Sequence, residues 1–318
     1  MTATSIKTRV LSPSLSVIRQ LGRNGQTVNI YVIGHLDGRV SLVDCGNDGQ
    51  SDELLEGVAE LGFKLSDVEQ IIYTHTHHDH MGAGPELAER CEARHVMWEP
   101  TRPVASDYES FRSRIDSWNE WLVETVEDDE LRERYARAQR PERPPTPPMS
   151  PLATVRAGQT VRAGEYELEL VPTPGHDPMH VVWVDRAQGI AFTGDVVLPV
   201  PTPISLMMGD DTASYLESLD RLDTLNVSRA FPGHGTPFSN FAERVERSRQ
   251  FVYERLDRIR TYIAQENPTS IYRVALSLAD DVERHPRRFP LALANAESSL
   301  HYLQDLGELT IEGTEVRR

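Results

Sequence analysis

Between Tyr73 and Gly84 the chain reads YTHTHHDHMGAG, and His75, His77, Asp79 and His80 fall within six residues. Imidazole nitrogen and carboxylate oxygen are good ligands for zinc and similar divalent ions, so this is a dense supply of metal donors. In a loop leaving a strand, residues two apart can point together. His75 and His77 could then share one ion, while Asp79 and His80, past the bend, face a second. Three further islands complete the count: His176 in TPGH, Asp195 in FTGD and His234 in FPGHG. Each ends or follows a short apolar run, in a glycine or proline turn able to hold a side chain at a strand tip. Seven ligands suffice for two ions with positions left open for water. Asp195 is the natural bridge, because a carboxylate has two oxygens whereas a neutral imidazole offers one lone pair. Seven of the eleven histidines lie in or beside these islands, which chance clustering does not explain.

These side chains need elements to hold them. Val28 to Gly46 reads as two strands, NIYVIG and VSLVDCG, joined at Asp37 and Gly38. Asp52 to Leu61 predicts a helix with Leu54, Leu55, Val58 and Leu61 on one face, and Gln70 to Tyr73 a short buried strand ending at the histidines. Residues 100–151 read as an inserted lid: a charged helix over Ala105 to Gln139, ended by the proline-rich PERPPTPPMSP. Tyr108, Phe111, Ile115, Trp118, Leu122 and Val126 recur at helical spacing there and predict an inward face. Strand patterns resume at Tyr166 to Val171, His180 to Asp185 and Gly189 to Thr193, with a helix over Thr212 to Leu225. Alternating strands and helices predict a layered α/β core. The chain turns helical from Phe241 to Gln265 and again from Leu291 to Leu306, before a wing-like LTIEG. The expected division is a catalytic domain, 1–240, and a small, mostly helical C-terminal domain, 241–318.

HTHHDH at 75–80, followed in order by His176, Asp195 and His234, resembles the metallo-β-lactamase superfamily of binuclear hydrolases over about residues 28 to 240. The resemblance implies an αββα four-layer sandwich with the metals at one edge between two sheets. It implies His75, His77 and His176 on a first ion, Asp79, His80 and His234 on a second, and Asp195 between them. The ions would be zinc, with Mn2+ or Fe2+ as substitutes. Asp44 in LVDCG matches the strand where the family places an acid that supports the ligands from behind. His180, four residues after His176, is read in the same supporting or packing role. His78 points away by alternation, and His35, His95, His285 and His301 have no partner motif.

Two divalent ions roughly 3.5–4 Å apart lower the pKa of a shared water toward about 7, so no serine or cysteine nucleophile is needed. Asp79 and Asp195 are the residues assigned to catalysis, Asp79 accepting the water proton or orienting hydroxide. After Asp195 the chain runs VVLPVPTPISLMM, and Pro199, Met207 and Met208 are assigned to the wall of an acyl pocket. The order of GD, LP, a TPIS-like loop, YLESLDRL and PGHG resembles glyoxalase II-like and thioesterase-like hydrolases. The C-terminal part resembles the winged-helix appendage of a group that includes thioesterases and an endoribonuclease. The expected substrate is a small-molecule thioester, an acyl-CoA or acyl-carrier conjugate. Alternatives are a lactonase or other carboxylic ester hydrolase, and an endoribonuclease or phosphodiesterase presenting Arg287 and Arg288 to phosphates. A glutathione thioester hydrolase would need a basic clamp that the sequence does not display. A mononuclear iron redox enzyme fits less well, because Asp79, His80 and His234 are all retained.

Composition narrows the field further. At 318 residues, 39% hydrophobic and 26% charged, the chain can bury a large core. A net charge of −16 opposes nucleic acid as a partner. Met1 to Leu11 has no apolar stretch and no long apolar run follows, so a cytoplasmic protein without a membrane span is expected. Cys45 and Cys91 are too few for a disulfide framework and read as buried small apolar residues. A homo-oligomer is compatible with all of this.

Overall fold

The computed structural model describes residues 6–22, 25–138, 148–201, 211–279 and 288–318, with only the backbone at 108, 111 and 112. Its first sheet runs in chain order through seven strands. These are β1 (Ile6–Ser12), β2 (Leu15–Leu21), β3 (Thr27–Gly34), β4 (Val40–Val43), β5 (Val68–Ile72), β6 (Arg94–Trp98) and β7 (Leu152–Val155). Pairing is antiparallel from β1 to β4 and parallel from β4 to β7. The parallel half needs crossovers, and α1 (Ser51–Glu60) and α2 (Gly84–Arg90) supply two of them. Leu54, Val58 and Leu87 of these helices pack on Ile30, Val32, Leu42 and Ile71.

The second sheet has the order β12-β11-β10-β9-β8. Its strands are β8 (Thr160–Ala163), β9 (Tyr166–Pro172), β10 (Val181–Asp185), β11 (Ile190–Gly194) and β12 (Arg229–Pro232). The outer face of this sheet carries α6 (Thr212–Asp223) and α7 (Phe241–Gln265), through Leu219 and Val245 against Val182, Val184 and Ala191. The inner faces of the two sheets meet along Val17, Tyr31, Ile33, Ile72 and Val96 on one side and Leu168, Leu170, Trp183, Phe192 and Phe231 on the other. With helices outside and a shared core inside, strands such as β3 and β10 are apolar on both faces, and the result is an αββα sandwich.

Two clasps across this core set the position of the histidine loops. Trp183 is fully buried, and its indole N–H donates to the Tyr73 carbonyl at 2.9 Å, just ahead of His75. On the other side, the Tyr31 hydroxyl and the Asn29 amide both donate to the Pro232 carbonyl, at 2.8 and 2.9 Å, and the Asn29 backbone N–H donates to the Gly233 carbonyl at 2.7 Å. One central strand thus holds the turn that carries His234.

The inserted segment is three helices rather than the single one expected: α3 (Arg102–Ser106), α4 (Tyr108–Thr125) and α5 (Asp129–Ala138). Aspartates make the breaks. Asp107 accepts from the Ser110 N–H at 3.0 Å and Asp128 from the Leu131 N–H at 2.7 Å, each starting a new helix. Leu122 and Val126 sit in the apolar cluster on the outer face of the second sheet, with Trp118 and Trp121 packed on it, while Ile115 packs on the first sheet's side. Beyond α7 come β13 (Thr269–Ser270), α8 (Ile271–Leu278), α9 (Phe289–Asp305), β14 (Thr310–Glu312) and β15 (Glu315–Arg317). LTIEG falls in the β14–β15 hairpin, in a sheet ordered β13-β15-β14. Val274, Leu293, Leu300 and Leu303 of this region belong to the same cluster as Val182 and Leu219. Glu127 ties the insertion to it by accepting from Arg273 Nε at 3.0 Å, and Tyr135 stacks on Phe289. Cys45 is buried as expected, whereas Cys91 is only partly so. Among the described residues no helix is long and apolar enough to cross a membrane.

Two outcomes follow for stability. Trp183→Phe leaves the Tyr73 carbonyl unmet in the core and is expected to cost about 1–3 kcal/mol in urea unfolding; an unchanged midpoint would mean the clasp carries no weight. Glu297 on α9 has a buried Oε2 without a hydrogen bond, and burial pushes its carboxyl up to about 7. The folded chain therefore holds that proton more tightly than the unfolded one. The associated stability is complete below the ordinary glutamate range and is lost as pH rises through about 7. Glu297→Gln should match the parent near pH 4 and melt higher near pH 8, by roughly 1–3 kcal/mol.

Candidate metal centre

At the edge where the two sheets meet, the seven sequence-assigned donors converge from four loops. His75, His77 and His176 form one group, Asp79, His80 and His234 another, and within each a donor atom from every residue lies within 4.8 Å of the rest. Asp195 stands between the two. Its Oδ2 is 3.6 Å from His176 Nε2 and 3.1 Å from His234 Nε2, and its Oδ1 is 3.5 Å from His80 Nε2. Inside the first group His77 Nδ1 approaches His176 Nε2 at 2.9 Å, and inside the second His80 Nε2 approaches His234 Nε2 at 3.4 Å. His75 Nε2 is buried with no hydrogen-bond partner. A buried ring nitrogen aimed among other donors and lacking a partner is free to give its lone pair to a metal ion, and a nitrogen and carboxylate donor set suits divalent transition metals.

Charge explains why these groups can act as ligands. Burial, with His80 and His77 nearby, holds His75 well below the ordinary histidine range, and burial with His176 does the same to His77. Both are neutral, as a ligand must be. Burial alone would raise the Asp79 and Asp195 carboxyls, but the His80 and His234 rings outweigh it and hold both ionised. The same pairs act on the imidazoles. Against the lowering effect of burial, Asp195 and Asp79 push His80 up to about 10 and His234 to about 12. The cluster calls for positive charge at its centre, from imidazolium protons or from cations.

His80, His234 and Asp195 are oriented from behind. Asp44 adopts a left-handed φ of 62°, uncommon outside glycine. That places its carboxylate to accept from the Thr74 N–H and hydroxyl, both at 2.8 Å, and from His80 Nδ1 at 2.8 Å. With Nδ1 committed as a donor, His80 presents Nε2 to the cluster. His234 Nδ1 donates to the Thr27 carbonyl at 2.6 Å to the same effect. His180 is not among the convergent donor groups. Its Nε2 accepts the Asp195 backbone N–H at 3.0 Å and its Nδ1 bonds the Thr173 hydroxyl at 2.8 Å, so it fixes the strand tip that carries Asp195. Gly233 is needed for space, because a Cβ there would lie 2.3 Å from Asp195 Oδ1 and 2.5 Å from His80 Cε1.

The remaining assignments divide. Pro199 lies against the turn after His234, where a Cβ on Gly235 would meet its ring at 3.1 Å. Met207, Met208 and Arg287 lie outside the described residues, while Arg288 is exposed at the start of α9. His78 is exposed, as alternation predicts. His95, given no role in the sequence, bonds the Tyr73 hydroxyl at 2.7 Å in the core. The residue sequence reasoning missed is Asp177. Fully buried, it accepts from the Thr76 N–H at 3.2 Å, from the Thr76 hydroxyl, and from the Met179 N–H at 2.6 Å. It thereby joins the loop of His75 and His77 to that of His176. A carboxylate directly after TPGH was the available signal.

Asp44→Asn removes the charge behind His80 and is expected to weaken zinc affinity about 10- to 100-fold with the fold retained. Competition with a chromophoric chelator measures this, and an unchanged affinity would remove Asp44 from the centre.

Comparison with known proteins agrees with this geometry. A family model described as the metallo-beta-lactamase superfamily matches residues 23–234. A beta-lactamase-like protein 2 homolog from Drosophila melanogaster is 26% identical over 305 residues, covering 93% of this chain and 90% of that protein. The crystal structure of a metallo-beta-lactamase family protein from Thermus thermophilus superposes with a TM-score of 0.78 at 25% identity, covering 97% of this chain and all of that one. An atrochrysone carboxyl ACP thioesterase from Aspergillus fumigatus is 27% identical over 249 residues, 74% of this chain and 61% of the enzyme. Since the match spans two thirds of the chain and takes in every one of the seven donors, the chain belongs to the metallo-beta-lactamase superfamily.

Proposed function

We propose that the protein is a hydrolase with two divalent metal ions, most simply zinc, that cleaves a thioester of a small acyl group. The observation that carries this reading is the pair of three-donor groups with Asp195 between them. A single structural ion would need four ligands and no second set. His75, His77 and His176 would hold one ion and Asp79, His80 and His234 the other, with Asp195 touching both.

When bound, such ions supply hydroxide at neutral pH and polarise the scissile carbonyl. The rest falls to the chain's own side chains. Asp79 stays ionised beside His80 and His234, with its Oδ2 3.3 Å from His234 Nε2, and would receive the proton of the attacking water or orient hydroxide. Asp44, the Thr27 carbonyl and His180 fix the rings and the strand tip so that little reorganisation accompanies the reaction. Pro199, against the turn that carries His234, would border the acyl group. The choice of thioester over lactone or phosphodiester is supported by the resemblance to an acyl-carrier thioesterase.

Metal content by mass spectrometry, measured beside turnover of acyl-CoA thioesters, acyl-homoserine lactones, nitrocefin and bis(p-nitrophenyl) phosphate, tests the proposal. Two zinc equivalents are expected, with thioester cleavage that Asp195→Ala lowers more than about 100-fold, beyond what supporting residues carry. Two metals with cleavage only of lactones or phosphodiesters would refute the thioester assignment, and a single iron would refute the hydrolase.

A further inference from the structure

The metal centre opens to solvent on the side of His234, whose ring is 22% exposed while the other six donors are at 14% or below. The first sheet continues past that opening, and its register decides what it presents there. On β2 and β3 the inner face carries Leu15 opposite Ile33 and Val17 opposite Tyr31, all buried against the second sheet. The same face goes on to Arg19 opposite Asn29 and Leu21 opposite Thr27, and the Thr27 carbonyl is the one that accepts from His234 Nδ1. Arg19 is only partly buried and Leu21 is 45% exposed, so the face leaves the core here. An Arg19 Nη2–H donates to the Gly235 carbonyl at 3.0 Å, one residue past His234. Against the same glycine lies Pro199, its own carbonyl accepting from Arg244 Nη1 at 2.9 Å, and Val200 after it is 72% exposed.

Edge strand β1 extends this face. Lys7 lies directly opposite Arg19 and Arg9 opposite Val17, while Thr8 between them turns to the helix side and donates to Glu60 of α1 at 3.0 Å. Lys7, Arg9 and Arg19 thus share one face, and cross-strand geometry puts the first two within about 8 Å of the third. Lys7 and Arg9 are exposed. Like charges facing each other on neighbouring strands weaken a sheet. Among the described residues no carboxylate pairs with any of the three, whereas arginines elsewhere do find acids: Arg186 with Glu169, Arg260 with Glu308, Arg273 with Glu127. On a chain of net charge −16, three adjacent cations left without acids favour an anion from outside. We propose that Lys7, Arg9 and Arg19 bind a phosphate of the thiol carrier, whose arm runs over Leu21 while its thioester sits at the metals. Position selects the carrier over the acyl group. Two strand spacings, roughly 10 Å, separate β3 from β1. A carrier with a long arm between sulfur and phosphate, as in coenzyme A, spans that interval, whereas a carboxylate on a short acyl chain stays beside the metals. Guanidinium groups match phosphate oxygens in pairs, and the lysine adds a point charge.

The part of this strip in turnover rests on the hydrolase reading; its binding of the carrier does not. On the zinc-loaded protein, kcat/KM is compared for the pentanoyl thioesters of coenzyme A, phosphopantetheine and pantetheine. The parent should favour a phosphorylated carrier over pantetheine by at least about tenfold. A preference complete with phosphopantetheine places the phosphate of the arm on the strip, and one that needs coenzyme A places those of the nucleotide there. Lys7→Gln combined with Arg9→Gln should bring the ratio to within about twofold, mainly through KM, and raised salt should act in the same direction. Arg19→Lys should keep more of the preference than Arg19→Gln. Cations on an edge strand also discourage pairing with another chain. Self-association of the double variant with an unchanged ratio, or equal losses on all three esters, would show that edge role alone and overturn the proposal. If no thioester is cleaved, calorimetry of S-methyl coenzyme A, a thioether that hydrolysis leaves intact, decides separately. Affinity at least about tenfold weaker in the double variant sustains the carrier site. Equal affinity in the two proteins, no binding to the parent, or tighter binding of a short single-stranded RNA overturns it.

Discussion

Two carboxylates, the buried Asp195 and the partly buried Asp79, lie among five imidazole rings where the sheets meet, and the need to balance that charge governs the molecule. An ionised carboxylate in a dry interior is costly unless cations or donors surround it. Here the surroundings come from loops far apart in sequence, so the fold must bring four chain segments to one point within fractions of an ångström. The apolar contact between the two sheets does this. A slip of one residue would exchange the two faces of a strand and take side chains such as Tyr31, Trp183 and Phe192 out of that contact.

The polar contacts at the rim finish what the core begins. Trp183 fixes the residue that leads into the histidine loop, and Asn29 with Tyr31 fixes the turn that carries His234. Asp44 accepts a strained backbone conformation and serves His80 and Thr74 at once. Asp177 joins the two loops that supply the first donor group. None of these residues belongs to a convergent donor group, yet each restricts where a donor can point. A preorganised site of this kind has its rings oriented before substrate arrives.

Much of this was legible in the sequence. The donors are polar residues at the ends of apolar strands, and their types and spacing name them directly. The layered architecture follows from the alternation of strands such as VVWVD with helices such as YLESLDRL. What stayed hidden depends on three dimensions. The partner of His234 is a backbone carbonyl at Thr27, which no residue type announces. The insertion reads as one helix in sequence because its apolar spacing nearly continues through Asp107 and Asp128, where each aspartate caps the start of a new helix. Strands β1 and β2 lie outside the expected elements because Lys7, Arg9 and Arg19 interrupt their apolar residues. Arg255 looks like any surface charge on an amphipathic helix until α9 is packed over it.

The sharing of one apolar cluster by the second sheet, the insertion and the C-terminal helices reaches beyond packing. Val182 and Leu219 lie within the stretch that matches the superfamily, whereas Leu293 and Leu300 lie well past it, and Trp118 and Leu122 belong to the segment inserted into it. The part of the chain that carries all seven donors therefore shares its packing with the helices that follow it. Ending it after His234 would strip the cover from a broad oily face and invite self-association.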